Sequence, residues 1–280
     1  MESMREIKRH INTIKTIQKE TKAMKAVYAA KLNKTQSKLL SARPYADKLK
    51  EVISRLAAAE SFGHELAEKN GVSSVAYVIF TGDRGMAGSY SDDICRFAER
   101  VIRENDTESV LIVIGKEGRD YFRDQGFKIL KAYTRLGEDP DFHKAQGIAK
   151  KIVDLFLSKQ VGQVVLVYTP YSSSIRNQPL QETILPISRE MIGEEPQKDK
   201  VEYLYEPDAE KVLASLLPRY LQVYIYKVML EAKASEHSAR MIAMGAASDN
   251  ADELIKKLTL AFNRAHQAQI TKEITEITQG

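Results

Sequence analysis

Apolar residues recur along the first part of the chain with the spacing of a coiled coil. Starting from Met4 and Ile7, steps of four and three residues reach sixteen positions before residue 57, and twelve of these positions are apolar. The positions are Met4, Ile7, Ile11, Ile14, Gln18, Thr21, Lys25, Tyr28, Leu32, Thr35, Leu39, Ala42, Ala46, Leu49, Ile53 and Leu56. A repeat kept over so many heptads predicts a helix that pairs with another helix along a seam. At 1.5 Å per residue the helix would be roughly 80 Å long, so one domain of this size cannot bury it.

The first helix contains one proline, Pro44. A proline inside a helix removes one backbone hydrogen bond and usually bends the helix. The heptad spacing continues beyond it through Leu49, Ile53 and Leu56, so the sequence predicts a bend and not a terminus. The pair Asn70-Gly71 then predicts a stop and a turn.

The period changes in the middle of the chain. Short continuous apolar runs, typical of strands buried on both faces, alternate there with amphipathic helical segments. The predicted strands are 75–80, 110–114, 127–130, 164–168 and an edge strand at 183–187, with a helix over 142–158 before the fourth strand. This alternation predicts a three-layer, Rossmann-like α/β domain with a largely parallel sheet.

A helical pattern returns after Asp208 and lasts almost to the end of the chain. Pro218 marks either a kink or an early boundary of this helix, and the small residues around Gly245 let two backbones approach closely at a cost in helix propensity. Two long helices with a compact domain between them most simply pair antiparallel with each other. The predicted organisation is an N-terminal coiled-coil helix (1–56), an inserted α/β domain (57–208) and a C-terminal coiled-coil helix (209–280).

Composition and charge narrow the class of protein. The single cysteine, Cys95, leaves no internal disulfide and favours a reducing compartment, and no apolar run approaches the ~20 residues that cross a bilayer. The alternating charges at the N-terminus favour a chain without an export signal. Residues 1–56 carry a net charge of +9, residues 57–208 carry −6 and residues 209–280 carry +1. The basic rod is either a solvated lysine face or a surface for an acidic partner, and the scarcity of aromatic residues argues against nucleic acid.

The glycine-rich loop after the first predicted strand favours a tight turn over a nucleotide site. Gly82, Gly85 and Gly88 have the spacing G-x-x-G-x-x-G, not G-x-G-x-x-G, and no G-K-[ST] ending follows. The five histidines form no close group with acidic or cysteine ligands, and no nucleophile signature stands out. We therefore expect no catalytic, cofactor-binding or metal-binding residues. A nucleotide-binding α/β enzyme with helical arms remains an alternative.

Several segments of the chain resemble one family in the same order along the sequence. These segments are Ile7–Arg9, Thr21–Lys25, Ala29–Leu32, Ala42–Ala46, Thr81–Gly85, Tyr203–Asp208, Arg240–Met244, Ala246–Ala251, Asn263–Thr271 and Glu273–Ile277. They are similar to the gamma subunit of the rotary (F-type) ATP synthase, bacterial type. The match spans the whole chain, and its C-terminal motifs are the most specific.

The resemblance implies a rotor shaft that is not itself an enzyme. In the family, the terminal helices form an antiparallel coiled coil inside a ring of three alpha and three beta subunits, with one gamma subunit in each complex. The α/β domain binds the epsilon subunit and the membrane c-ring. Rotation couples proton or sodium ion flow to ATP synthesis or hydrolysis. The implied location is the cytoplasmic face of the bacterial cell membrane, as a peripheral subunit without a membrane span.

The resemblance also implies contact residues. The residues that the resemblance implies contact the alpha/beta ring are Met24, Lys25, Arg240, His266, Gln267 and Thr271. The residues that it implies contact the epsilon subunit and the c-ring are Tyr203, Tyr205 and Glu206. For Met24, ordinary packing in the seam is an equal alternative. Lys25 occupies a seam position, so we expect it to turn outward or to meet a partner from outside the helix pair.

Three positions depart from the family pattern. Gly245 stands where the family usually has Lys, His266 where it usually has Arg, and Gly82 where Ser is common. Because of the first two departures, the resemblance does not define which charged contacts the C-terminal helix makes with the ring. A homodimeric coiled-coil scaffold, in which the first helix pairs with its own copy, is a further alternative.

Overall fold

The computed structural model describes residues 4–59, 64–171, 178–192, 206 and 208–279. Its helices are α1 (Met4–Ala59), α2 (Tyr90–Glu104), α3 (Lys116–Asp124), α4 (Phe142–Leu157), α5 (Arg189–Ile192) and α6 (Ala209–Gln279). Its strands are β1 (Val75–Phe80), β2 (Ser109–Ile114), β3 (Ile129–Tyr133), β4 (Gln163–Tyr168) and β5 (Leu180–Leu185). The first and last helices, of 56 and 71 residues, hold most of the helical content.

The five strands form one sheet in the order β3-β2-β1-β4-β5. Strands β1 to β4 pair in parallel, and β5 pairs antiparallel with β4 at the edge. All six residues of β1 are buried, as expected for a central strand covered on both faces. The prediction of an α/β fold with a largely parallel sheet and a final edge strand is confirmed.

Two strands differ in position from the sequence prediction. β3 begins at Ile129 instead of residue 127, because Phe127 folds back onto α3 in the turn that follows this helix. Its N–H donates to the Phe122 carbonyl at 3.0 Å, and the two rings meet edge to face with their centroids 5.4 Å apart. β5 spans residues 180–185, earlier than the predicted 183–187, and it ends before Pro186, which has no N–H for the ladder.

Both long helices contain their prolines without ending at them. Pro44 lies inside α1, so the prediction that the helix continues beyond it is confirmed. Pro218 lies inside α6, which begins at Ala209, so an early helix boundary at this proline is wrong. Each proline removes one backbone hydrogen bond, and the apolar positions that continue on both sides keep the helix intact.

The chain divides into two compact units. Unit 1 comprises Met1–Lys31, Met86–Gly88 and Ser238–Gly280, and unit 2 comprises Leu32–Gly85 and Ser89–His237. Unit 2 contains the sheet, and its core includes the C-terminal part of α1 and the N-terminal part of α6. The division into an inserted α/β domain at 57–208 between coiled-coil helices at 1–56 and 209–280 stays a prediction.

Candidate functional site: the helix pair and the carboxyl edge of the sheet

The two long helices pair antiparallel within unit 1. The Gln18 amide donates to the Asp252 carboxylate at 3.3 Å, and the side chain of Lys25 lies against Gly245. Partner numbers therefore fall along α6 as they rise along α1. The predicted seam is confirmed, since every one of its positions is buried or half-buried except Lys25.

Gly245 makes room for the side chain of Lys25. A Cβ atom built on Gly245 would lie 3.4 Å from Lys25 Nζ, 3.5 Å from Cε and 3.6 Å from Cδ. The lysine stem thus crosses the backbone of α6 while the residue as a whole stays exposed. A long amphipathic side chain that buries its stem and keeps its charge in water behaves in this way. The seam position of Lys25 is accommodated by the glycine on the facing helix.

Tyr28 holds two cations on its ring. The Arg240 guanidinium carbon lies 4.9 Å from the ring centroid, and Lys31 Nζ lies 4.7 Å from it. Arg240 is only 1% exposed. A buried guanidinium is costly without compensating partners, and an aromatic face provides one. The heptad pattern predicted only that Tyr28 is an apolar seam residue. The contact with Arg240 could have been inferred from an antiparallel pairing of the two helices, because that pairing places an aromatic ring opposite an arginine.

The end of α6 continues beyond the first described residue of α1. The register of the pair places Met4 opposite about residue 266, so about 20 Å of single helix follows at 1.5 Å per residue. Ile270, Ile274 and Ile277 form an apolar stripe on this segment, with exposed fractions of 42%, 57% and 80%. An isolated helix of this length is only marginally stable in water, and its exposed stripe is typical of a surface that a partner covers.

The predicted contact residues differ in their surroundings. Met24 is half-buried, Lys25 is exposed and Arg240 is buried. His266, Gln267 and Thr271 are exposed near the start of the single-helix segment. His266 stacks on Phe262, and the Thr271 hydroxyl donates to the Gln267 carbonyl at 3.0 Å.

The residues predicted to meet the epsilon subunit and the c-ring are only partly described. Tyr203 and Tyr205 lie outside the described residues. Glu206 is described and exposed.

The loop after β1 occupies the N-terminus of α3. Lys116 N–H donates to Asp83 Oδ1 at 3.1 Å, Glu117 N–H to the Gly82 carbonyl at 3.0 Å and Gly118 N–H to Thr81 Oγ1 at 3.0 Å. The free amides of a first helical turn are the groups that bind phosphate in nucleotide sites. At α3 these amides already have partners from the chain itself, so this helix N-terminus is not open to a phosphate.

The helix α6 fills the crevice at the carboxyl edge of the sheet. In open α/β sheets ligands bind in a crevice beyond the carboxyl ends of the strands, and the crevice here lies beyond the ends of β1 and β2, beside Thr81 and Gly115. Met229, Ala232, Lys233 and Glu236 of α6 line this crevice, and the remaining cavity measures about 40 Å³. Small-molecule sites typically measure about 300–1,000 Å³. The crevice therefore has no room for a nucleotide.

Burial shifts the pKa values of several titratable groups of unit 2 in the direction that favours their neutral forms. Burial raises the pKa of Cys95 to about 12, so its thiol is not a nucleophile at neutral pH. Burial also raises the pKa values of Tyr220, Tyr224 and Glu231. Burial lowers the pKa of His237 to about 4, with Glu236 opposing the shift and Lys233 adding to it.

Neither a metal site nor a membrane span occurs in the part of the chain that the structure describes. No three His, Cys, Asp or Glu side chains there come together as a metal ion requires. Likewise, none of the described helices combines the length and the apolar character that crossing a bilayer demands.

Solved structures with the same fold come from ATP synthase rotors. A chain in the central stalk and c-ring structure of the Tetrahymena thermophila mitochondrial ATP synthase is similar over 81% of this chain and 99% of its own, with a TM-score of 0.61 and 25% identity. A chain in the Euglena gracilis mitochondrial enzyme is similar in fold over 99% of this chain and 92% of its own, with a TM-score of 0.70 and 15% identity. The class is therefore that of a central-stalk rotor subunit.

Sequence comparison narrows the class to one family. The family model described as ATP synthase matches residues 3–280. The ATP synthase gamma chain of Moorella thermoacetica is 44% identical over 100% of this chain and 98% of its own length, and that of Heliobacterium modesticaldum is 46% identical over the same shares. The chain belongs to the ATP synthase gamma chain family, and its role is that of the central stalk.

Proposed function

We propose that the chain is the non-catalytic drive shaft of a bacterial ATP synthase. In this proposal, one copy stands with the end of α6 inside a ring of three alpha and three beta subunits. Unit 2 binds the epsilon subunit and the c-ring at the cytoplasmic face of the membrane, as a peripheral subunit. Rotation driven by protons or sodium ions passes through the shaft and changes the conformation of the catalytic sites on the ring.

The single-helix end of α6 carries the proposal. Ile270, Ile274 and Ile277 are exposed, and they form a stripe that no described residue covers. An apolar sleeve around this segment would bury the stripe and stabilise a helix that is marginal when alone. A ring of subunits around the shaft supplies such a sleeve.

Charge supports the position of the ring contacts. Residues 1–56 carry a net charge of +9, which suits acidic surfaces on the surrounding subunits. We place Met24 and Lys25 on α1, and His266, Gln267 and Thr271 on α6, in direct contact with the alpha/beta ring. The Arg240 guanidinium lies over the Tyr28 ring. In this proposal, Arg240 contributes to the contact surface by stabilising the neighbouring turn of α1.

The residues before α6 are proposed to meet the membrane rotor. Tyr203, Tyr205 and Glu206 precede α6 and are assigned to the epsilon subunit and the c-ring. The net charge of −6 in residues 57–208 separates this part of the chain from the basic rod. Different charge on the two parts suits contacts with different partners.

The absence of a catalytic constellation among the described residues supports a mechanical role. The N-terminus of α3 is occupied by the loop after β1, and the crevice at the sheet edge is filled by α6. Neither site is available to a nucleotide. The ATP chemistry is thus assigned to the ring subunits.

Reconstitution tests the proposal. Mixing the chain with the alpha and beta subunits of its complex should produce ATPase activity that is absent without it. Replacing Ile270, Ile274 and Ile277 together by Ser should leave the isolated chain as stable as before, because these side chains are exposed, while weakening assembly and activity. Replacing Thr275 and Thr278 by Ala is the matched control, since their hydroxyls bond only to carbonyls of their own helix.

Two outcomes would contradict the shaft assignment. One is activity that does not depend on the chain. The other is normal assembly of the triple Ser variant, because the ring would then not bind the stripe. The homodimeric scaffold is tested separately by sedimentation, where the antiparallel pairing within one chain predicts a monomer.

A further inference from the structure

An open groove lies between α4 and α6 on the surface of unit 2. It measures about 320 Å³, which is enough space for large side chains from another molecule. Among the residues that line it are Gly147 and Lys150 of α4, and Pro218 and Gln222 of α6. The Gln146 amide of α4 donates to the Gln222 carboxamide oxygen of α6 at 3.3 Å, so a hydrogen bond joins the two walls.

Gly147 keeps the α4 wall of the groove free of a side chain. It lies in the interior of α4, where glycine is less favourable than alanine and where the helical backbone does not need its conformational freedom. A Cβ built on Gly147 would meet nothing within 4 Å. Packing within the described part of the chain therefore does not account for the glycine. A neighbour that occupies the groove from outside would account for it.

Pro218 forms part of the opposite wall. It lies in the interior of α6, where it interrupts the hydrogen-bond ladder because it has no N–H. Glycine and proline are the two residues least favourable to a helix interior, and here they line one groove from two different helices. This pairing favours a groove whose shape serves contact with another molecule.

The groove is basic within an acidic part of the chain. None of the described residues that line it is acidic, and Lys150 is exposed there without a carboxylate partner among the described residues. Next to Pro218, the Arg219 guanidinium lies 4.9 Å from the centroid of the Phe142 ring and donates to the Gln222 carboxamide at 3.4 Å. α4 has three lysines and one aspartate, a net charge of +2, whereas residues 57–208 carry −6. Such a local basic patch suits a carboxylate from a partner.

An apolar surface accompanies the basic charge. Val153 is half-buried in the groove. Leu157 lies seven residues after Lys150, on the same face of α4, and is 41% exposed. The surface therefore combines a cation with apolar side chains, and a matching partner segment carries an acidic residue beside an apolar one.

We propose that the groove between Gly147 and Pro218 docks an acidic segment of another subunit of the complex. In this proposal an apolar side chain of that segment lies over Gly147, and a carboxylate pairs with Lys150. The proposal rests on the proposed function, because it requires the chain to work inside a complex. It adds a contact surface that is separate from the residues assigned above.

Carbodiimide cross-linking of the purified, complete complex tests the groove. The reagent joins a lysine amine directly to a carboxylate that touches it, and sequencing of the cross-linked peptides identifies both residues. We expect Lys150 to be joined to an Asp or Glu of another subunit. Lys151 is the matched control, because it is the next lysine on the same helix and does not line the groove. It should not be joined to that carboxylate.

Two variants of Gly147 test the shape of the groove. Gly147→Leu fills the groove, whereas Gly147→Ala adds one methyl group and leaves most of it open. Both should fold, because nothing lies within 4 Å of the new Cβ and both residues favour a helix more than glycine does. Since an occupied site resists further packing, Gly147→Leu should lower the yield of the Lys150 cross-link about tenfold, and Gly147→Ala should change it less than about twofold.

The outcomes separate the groove from the proposed function. Cross-links of Lys150 only to this chain or to a second copy of it overturn the proposal, as do equal yields in the two Gly147 variants. Protection of the Lys150 amine from acetylation in the membrane-bound complex, without any cross-link to a carboxylate, indicates a lipid headgroup or a free anion and also overturns it. Failure of the unsubstituted chain to assemble with the other subunits contradicts the proposed function instead.

Discussion

Most substitutions at packed positions destabilise a protein, but the close approach of α1 and α6 at Gly245 predicts a substitution that stabilises it. Gly245 lies in the interior of α6, where replacing Gly by Ala gains about 1 kcal/mol of helix stability. The new methyl group would meet Lys25 Cδ, Cε and Nζ at 3.4–3.6 Å, which is ordinary van der Waals contact. The lysine is exposed and its stem can shift, so the gain should survive. We expect Gly245→Ala to stabilise unit 1.

Hydrogen exchange of the native chain measures this effect locally. Gly147→Ala in α4 is the matched control, because a Cβ there would meet nothing within 4 Å. Both variants should raise the local free energy of opening by about 0.5–1 kcal/mol. An increase of 1 kcal/mol slows exchange at the amides around the substituted position about fivefold.

A difference between the two variants would refute the reasoning. If Gly245→Ala accelerates exchange while Gly147→Ala slows it, the methyl group finds no room. The glycine would then be required by the approach of the two backbones, and not by the Lys25 side chain. Combining Gly245→Ala with Lys25→Ala distinguishes these cases, because only the second change removes the lysine stem.

Three further predictions concern unit 2. Ile53→Ala should lower the free energy of unfolding by about 3 kcal/mol because Ile53 is fully buried, whereas Leu40→Ala on the exposed face of α1 should change it by less than about 0.5 kcal/mol, as denaturant titration would show. Asp83→Ala should cost about 1–2 kcal/mol, because it removes the acceptor for the Lys116 amide, without creating affinity for ATP in equilibrium dialysis. His237 has a folded pKa of about 4 against an ordinary value of 6.5, so the unfolded chain binds the proton first as the pH falls. The contribution of His237 to the free energy of unfolding should therefore be present in full above pH 6.5 and should decrease by on the order of 3 kcal/mol towards pH 4. His237→Gln should abolish this pH-dependent loss.

Periodicity accounted for most of the fold. The heptad spacing from Met4 to Leu56 identified the buried face of α1. The spacing continues across Pro44 because packing contributes more than helix propensity to the stability of such a long helix. The strand boundaries were less predictable. The sequence pattern predicts Phe127 to be a strand residue, yet its ring packs against Phe122 and it lies in the turn between α3 and β3. Contacts between segments decide such residues, and a local pattern does not contain them.

The site was predictable to a smaller extent. The family resemblance indicated Met24 and Lys25 as contact residues, but the burial of Arg240 under Tyr28 depends on the register of two helices more than 200 residues apart. The spacing of Gly82 and Gly85 argued against a phosphate loop. Only the structure shows that the same loop provides acceptors for the first turn of α3, because the contact joins segments more than 30 residues apart.

Direct observation of rotation tests the central claim most sharply. With the alpha/beta ring fixed to a surface and a bead attached to unit 2, ATP should turn the bead in one direction, in three equal steps per revolution. The triple Ser variant at Ile270, Ile274 and Ile277 should slip or detach under viscous load. ATP hydrolysis by a complex that contains the chain but leaves the bead stationary would contradict the account.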